Sequence, residues 1–299
     1  MKRGFTLVEL IVVITVIGIL AAVVIVNMSG GTDKANITKG QAFSAKIGEE
    51  LAGSLVSEWR FDEGTGLTAN DAWGANGGIL NNFNWDDSSG WRFGGNCVSG
   101  SCLEFDGNND YVDCGNDTSF DFGTGDFSVE AWFKTADISQ SIVAKQSASG
   151  GDYLGFNFYV YGGGTVSFII GRTGDIMVLE TTNTWNDDKW HHSVAVRVGN
   201  DATNYRIYID GVNDLISSDT ITDGDITNTD VLKIGSRGNN DVFFNGLIDE
   251  VRIYNNAADL AQVQSHYLAG LNGLLSNGAI SKLEYNQRIK NLNKEMVTQ

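Results

Sequence analysis

Phe127-Ser-Val-Glu-Ala-Trp-Phe-Lys134 alternates: Phe127, Val129, Ala131 and Phe133 fall on one face of an extended chain. A side-chain period of two marks a strand with one face buried. Tyr205-Arg-Ile-Tyr-Ile-Asp-Gly211 repeats the pattern, placing Tyr205, Ile207 and Ile209 together. Working outward, Leu103–Phe105, Tyr111–Cys114, Ile142–Lys145, Leu154–Tyr161 and Val166–Ile170 read as further strands. So do His192–Val198, Val231–Ile234 and Leu247–Tyr254. Between Ser57 and Asn255 these runs are separated by Gly, Asn and Asp and by no long helical pattern. Roughly a dozen short strands with such turn signals predict an antiparallel sandwich or jelly roll, so the chain is mainly β.

The composition agrees. Proline is absent and glycine occurs 37 times, so turns rest on Gly, Asn and Asp. Of 299 residues, 42% are hydrophobic and 19% charged, which suits a folded chain with one sizeable core. The net charge is −17, which repels phosphate backbones and argues against nucleic acid as a partner. The same carboxylates are available as oxygen ligands for divalent cations.

The first 28 residues read MKRGFTLVELIVVITVIGILAAVVIVNM. From Phe5 to Val26 the run is apolar except for Thr6, Glu9 and Thr15, and it follows the basic Lys2 and Arg3. Such a run, about 33 Å long as a helix, spans one hydrocarbon core with its basic end inside. A carboxylate within it is costly without a partner, which marks Glu9 as functional. Arg3-Gly-Phe-Thr-Leu-Val-Glu-Leu10 resembles the type IV prepilin and pseudopilin leader. The resemblance implies cleavage after Gly4 by a prepilin peptidase and methylation of the new terminal amine on Phe5. It also implies that Glu9 pairs with the terminal amine of a neighbouring subunit in a filament, each charge offsetting the other's desolvation. Without proline the helix has no proline kink, and Gly30-Gly31 is the expected break. A second helical stretch is expected up to residue 56, with Phe43, Ile47, Leu51 and Leu55 forming an apolar stripe.

The middle carries a second resemblance. Leu103-Glu-Phe-Asp-Gly-Asn-Asn-Asp-Tyr-Val112, Phe127–Trp132, Trp190–Val194, Tyr208–Gly211 and Phe244–Tyr254 follow in an order similar to bacterial laminin-G-like, concanavalin A-like jelly rolls. That implies binding of sugars or proteins, or a spacer role, since fold alone does not settle function. The organisation expected is a leader at 1–4, a transmembrane and assembly helix at 5–28, and an amphipathic helix or linker at 29–56. A sandwich at 57–255 and a helical appendage at 256–299 complete it. In the appendage, Asp259 is placed to cap Leu260–Leu268, with Gly270 as its end; Ser281 and Glu284 have the capping-box spacing for another helix.

No catalytic residue emerges. The paired-carboxylate strand pattern Glu-x-Asp-x-x-Glu begins at Glu104-Phe-Asp106 but has Asn109 where its last acid belongs, and Trp190-His191-His192 reads as a strand start. Asp106-Gly-Asn108-Asn-Asp110 has oxygens at alternate positions, as cation loops do, but lacks the EF-hand glycine and closing glutamate. Related domains hold a structural calcium ion near the first and last strands, for which Asp62, Asp106 and Asp249 are the nearest candidates here. Cys97 and Cys102 enclose four residues with Gly100 among them, and the expected disulfide joins them, leaving Cys114 free. A bridge from Cys114 to either remains the alternative. Trp59, Trp73, Trp85 and Trp91 cluster ahead of the strong blocks as candidate sugar-stacking rings or core residues.

The combined reading is a pilin-like subunit, anchored in the inner membrane and then assembled into a surface filament. It would carry an extracytoplasmic head for adhesion to a glycan or protein. A pseudopilin of a type II secretion system, a membrane-anchored polysaccharide hydrolase and a passive spacer are the alternatives.

Overall fold

The computed structural model describes residues 53–147, 153–172, 174–199, 205–216, 224–238 and 241–298. Gly4, Phe5, Glu9 and the helices expected before residue 53 lie outside the described residues. The chain divides into two units, Met1–Glu50 and Leu51–Gln299, and the described residues all belong to the second. None of its described helices is long and apolar enough to cross a membrane.

The strands begin with β1 (Leu55–Trp59), β2 (Thr68–Ala69), β3 (Gly78–Asn81), β4 (Gly90–Phe93), β5 (Ser101–Asp106) and β6 (Tyr111–Asp113). Next come β7 (Phe127–Lys134), β8 (Gln140–Gln146), β9 (Gly155–Val160), β10 (Thr165–Arg172), β11 (Asp175–Thr184) and β12 (His191–Arg197). The last are β13 (Arg206–Ile209), β14 (Val212–Asn213), β15 (Leu215–Ile216), β16 (Lys233–Ile234) and β17 (Asn245–Tyr254). Among the described residues they form two antiparallel sheets. The first runs β14-β13-β12-β7-β17-β5-β4 with β1 also on β17, and the second runs β15-β11-β10-β9-β8-β16-β6-β3-β2.

Alternation explains the two layers. Phe127, Val129, Ala131 and Phe133 turn inward and meet Phe156, Phe158, Phe168 and Ile170 of the second sheet. The Phe122 and Phe127 rings stack with centroids 4.5 Å apart. Each such side chain removed from water stabilises the fold by about 1.5–3 kcal/mol before chain entropy is set against it.

The sandwich begins earlier than its sequence boundary. Leu55, expected on a helical stripe, starts strand β1, because β17 offers an open edge with Leu55 opposite Tyr254. Strands β2, β3 and β4 are too short to show a period, and they escape a reading based on alternation. Trp59 and Trp91 are core residues, whereas Trp73 and Trp85 are exposed.

The tail docks on the outer face of the first sheet. Helix α1 (Leu260–Asn277) starts at a capping box in which Asp259 accepts from the Gln262 amide. It runs through Gly270 and ends at Gly278, which takes the left-handed conformation at φ 77°. Helix α2 (Lys282–Thr298) follows, with Ser281 Oγ accepting from the Glu284 amide at 3.1 Å. Trp132, Trp190, Tyr267, Leu271, Leu274 and Leu292 form a second apolar cluster between sheet and helices. Gly270 ends nothing; it makes room. A Cβ there would lie 2.4 Å from Trp132 Cζ2.

Gly270→Ala therefore sets two effects against each other. Alanine gains up to ~1 kcal/mol of helix propensity, while overpacking costs ~1–3 kcal/mol. Trp132 is held by a stacked contact with Tyr267, centroids 5.8 Å apart, so the clash should win. Urea titration of the variant should show a lower midpoint; an unchanged or higher one would mean that the helix is not seated on Trp132.

Candidate binding face

Polar side chains gather on both outer sheet faces, with opposite chemical outcomes. On the first sheet the carboxylates are engaged by donors from neighbouring elements. Glu130 is wholly enclosed and accepts four hydrogen bonds. Two come from His192 Nε2 at 3.0 Å and His266 Nδ1 at 2.8 Å, and two from Arg252 Nη1 and the Tyr254 hydroxyl, each at 3.1 Å. Burial pushes its pKa up, but the charges of His266 and Arg252 and the imidazole bonds outweigh this and hold it well below the carboxylate range. Arg252 also pairs with Glu58 at 2.7 Å and with Glu250. With four donors already placed, Glu130 has no free oxygen lone pair to offer a substrate.

His191 is similarly engaged. Its Nε2 meets Asp187 at 2.9 Å and its Nδ1 meets Asp210 at 3.0 Å. Asp210 also accepts from the His192 amide at 3.0 Å and faces Arg288 of α2 at 3.9 Å. The tandem histidines are thus held by carboxylates of the fold, His191 through both ring nitrogens and His192 through Nε2.

Cys97 and Cys102 are joined by a disulfide, and Cys114 is a buried free thiol. Asp249 Oδ2 accepts from the amides of Val98 and Ser99 at 2.9 and 3.2 Å, and Asp62 Oδ1 from that of Ser101 at 3.3 Å. These two acids hold the disulfide loop. Asp106 sits at the other end of β5, about 17 Å from Ser101 at ~3.4 Å per residue, and accepts from the Asn108 amide. The structure does not bring the three acids together, so they do not fit one shared cation. Among the described residues no group of three acidic, histidine or cysteine side chains is arranged to hold a metal.

The second sheet differs because no described helix covers its outer face. Phe156, Phe158 and Val160 turn into the core, which leaves Asn157 and Tyr159 outward on β9. Register then aligns Ser141, Tyr159, Ser167 and Glu180 in one row across β8, β9, β10 and β11. Ser141 Oγ donates to Asn157 Oδ1. Asn157 Nδ2 and Ser167 Oγ are buried without a hydrogen-bond partner among the described residues. An unmet buried donor costs about 1–3 kcal/mol. Around this floor stand Tyr161, exposed and edge-on to Tyr159, and Arg237, which lies over the Tyr153 ring and pairs with Asp241 at 2.7 Å. Burial raises the Tyr159 pKa, against a bond from Ser139 and the charge of Arg237, so its hydroxyl stays protonated as a donor. Gly171 is required here, since a Cβ would lie 1.5 Å from the Tyr153 carbonyl oxygen. None of these residues stands out in the sequence as a site residue. The available signal is a polar residue at every second place in otherwise apolar runs, as in Gly155-Phe-Asn-Phe-Tyr-Val160.

The profile of the Concanavalin A-like lectin/glucanases superfamily matches residues 106–264, just over half of the chain. The chain belongs to that superfamily. Residues 1–25 match the prokaryotic N-terminal methylation motif. The lectin-like sandwich is similar to the binding domain of Paraclostridial Mosquitocidal Protein 1, with TM-score 0.54 and 17% identity over 74% of this chain and 53% of that one. It is also similar to domain 4 of AbnA, an extracellular arabinanase from Geobacillus stearothermophilus solved with arabinotriose. There the TM-score is 0.52 and identity 19%, over 70% of this chain and 96% of that domain. A sialidase from Trypanosoma rangeli matches at TM-score 0.50 and 14% identity, over 71% of this chain and 32% of the enzyme. The chain thus spans about half of the first of these proteins and a third of the sialidase, and at such identities the likeness is one of fold. No curated protein matches the sequence.

The His191 cluster gives the lectin-like sandwich a pH dependence. Burial alone would lower the imidazole pKa, but the Asp210 charge and the bonds to Asp187 and Asp210 raise it from 6.5 to about 9. A raised folded pKa means that the stabilisation is complete below pH 6.5 and is lost as pH climbs through about 9. Urea midpoints of the wild type should fall across that window, and those of His191→Gln should fall less. Parallel curves for the two proteins would show that the imidazole is not charged in the folded state.

Proposed function

We propose that the chain is a type IV pilin-like subunit that displays its lectin-like sandwich outside the cell for adhesion to a glycan or protein. The observation that carries this reading is the union, in one chain, of the methylation motif at 1–25 with the sandwich matched at 106–264. The motif implies cleavage by a prepilin peptidase after Gly4, an amine on Phe5 and a partner role for Glu9 in a filament core. Adhesion through the outer face of the second sheet is supported by the exposed Tyr161, whose ring offers a stacking surface for a sugar beside the part-buried Arg237 and Asp241. The role assigned is non-catalytic, supported by the four donors that occupy Glu130 and the two carboxylates that hold His191.

Co-expression with a prepilin peptidase should yield a product whose mass begins at methylated Phe5. An uncut chain, or one cut beyond Val26, would withdraw the filament role. For adhesion, the purified full chain should retain members of a glycan and matrix-protein panel. Tyr161→Ala with Arg237→Ala should weaken that binding at least ~10-fold, the equivalent of ~1.4 kcal/mol. Equal retention by wild type and variant would move the binding site off this face.

A further inference from the structure

Lys145 is a buried lysine that neither the sandwich core nor the binding face uses. It lies opposite Phe156 in the β8–β9 register, so its side chain enters the interior. Its ammonium is about 2% exposed and meets two side chains. Nζ lies 2.9 Å from Asp121 Oδ1, and 2.7 Å and 3.4 Å from the backbone and side-chain carbonyl oxygens of Asn228. The Asn228 carboxamide is itself fixed. Its Nδ2 donates to the carbonyls of Lys145, Leu154 and Ile226, each at 3.2 Å, and its Oδ1 accepts the Asp230 amide at 2.9 Å. Gly155, at φ 116°, admits it: a Cβ there would stand 2.4 Å from Asn228 Nδ2. An amine, a primary amide and a carboxylate are thereby held together, the amine buried and the other two part-buried.

We propose that Lys145 and Asn228 become joined by an amide bond, formed within the chain with Asp121 as the proton carrier. Asp121 takes a proton from the Lys145 ammonium, and the freed Nζ lone pair attacks Asn228 Cγ. Negative charge gathers on Oδ1, where the Asp230 N–H already points and stabilises it. Asp121 then protonates Nδ2, the Cγ–Nδ2 bond breaks as the carbonyl re-forms, and the departing ammonia takes the second proton from Nζ. The balance is one ammonium and one carboxamide converted to one secondary amide and one departing ammonium ion, with Asp121 returned as carboxylate. No oxidant, metal or nucleotide is required. The acceleration comes from placement, since amines and amides react slowly in water but gain greatly when held in contact. The product ties β8 to the segment preceding β16 across a separation of 83 residues, bracing the second sheet against extension.

The test is mass spectrometry of the purified full chain. The wild type should weigh one ammonia less than its sequence, after allowance for N-terminal processing. Trypsin should leave Lys145 uncut and return a branched peptide linking it to Asn228. Asp121→Ala should retain the ammonia and release the two peptides separately. Should that variant not fold, the wild-type digest decides alone. Separate, unmodified Lys145 and Asn228 peptides from the wild type would overturn the proposal. So would an ammonia loss that maps to a succinimide at an Asn-Gly pair such as Asn245-Gly246.

Discussion

One buried carboxylate organises the head. Glu130 lies on the outward side of β7, where a helix later covers it, so its charge cannot be met by water. Its four donors come from β12, β17 and α1, three elements that are distant in sequence. Each of these must be in register for the charge to be met, and a buried charge with a missing partner is among the costliest faults a fold can carry. Glu130 therefore fixes the position of α1 more sharply than apolar packing does, because leucines tolerate a slide that an ion pair does not. Arg252 extends the constraint to β1 through Glu58, so the strand at which the chain enters the sandwich is bound by the same network.

This arrangement assigns the two sheet faces different roles. The outer face of the first sheet carries Glu130, Trp132 and His192, groups that need cover, and α1 and α2 supply it. The outer face of the second carries Asn157, Tyr159, Ser167 and Glu180, and no described helix lies on it. The asymmetry follows from sequence: the inward residues of β7 and β9 are alike, while the outward ones differ in charge and size.

Much of the fold was legible because it depends on a short period. The alternation at Phe127–Lys134 predicts β7 to the residue, and Asp259 predicts the start of α1. What failed depended on distant partners. Gly270 reads as a helix end until Trp132 is known to lie against it, and Leu55 fits a helical stripe until β17 offers it an edge. The Cys97–Cys102 spacing was readable as a small loop, but not the acids that hold it: Asp62 and Asp249 take amide donors there. The outward polar row was invisible for a similar reason, since a serine or asparagine within a strand acquires meaning only through its cross-strand neighbours.

Under the proposed filament role the head must also resist force, and the topology of the sandwich sets where that force would enter. Tension on the N-terminal segment reaches the sandwich at Leu55 and passes to β17 through the β1 pairing. Pulling along an antiparallel pair loads its ladder in shear, so its bonds share the load rather than failing one at a time. β17 is in turn paired along its other side with β7, so the entry strand is tied to the middle of its sheet. The Glu58–Arg252–Glu130 chain of ion pairs runs across the same strands and resists the slip that shear would cause. The second sheet, which carries the polar row, has no pairing with β1 and lies off this load path. In that proposal the face assigned to adhesion is separate from the strands that would bear the tether.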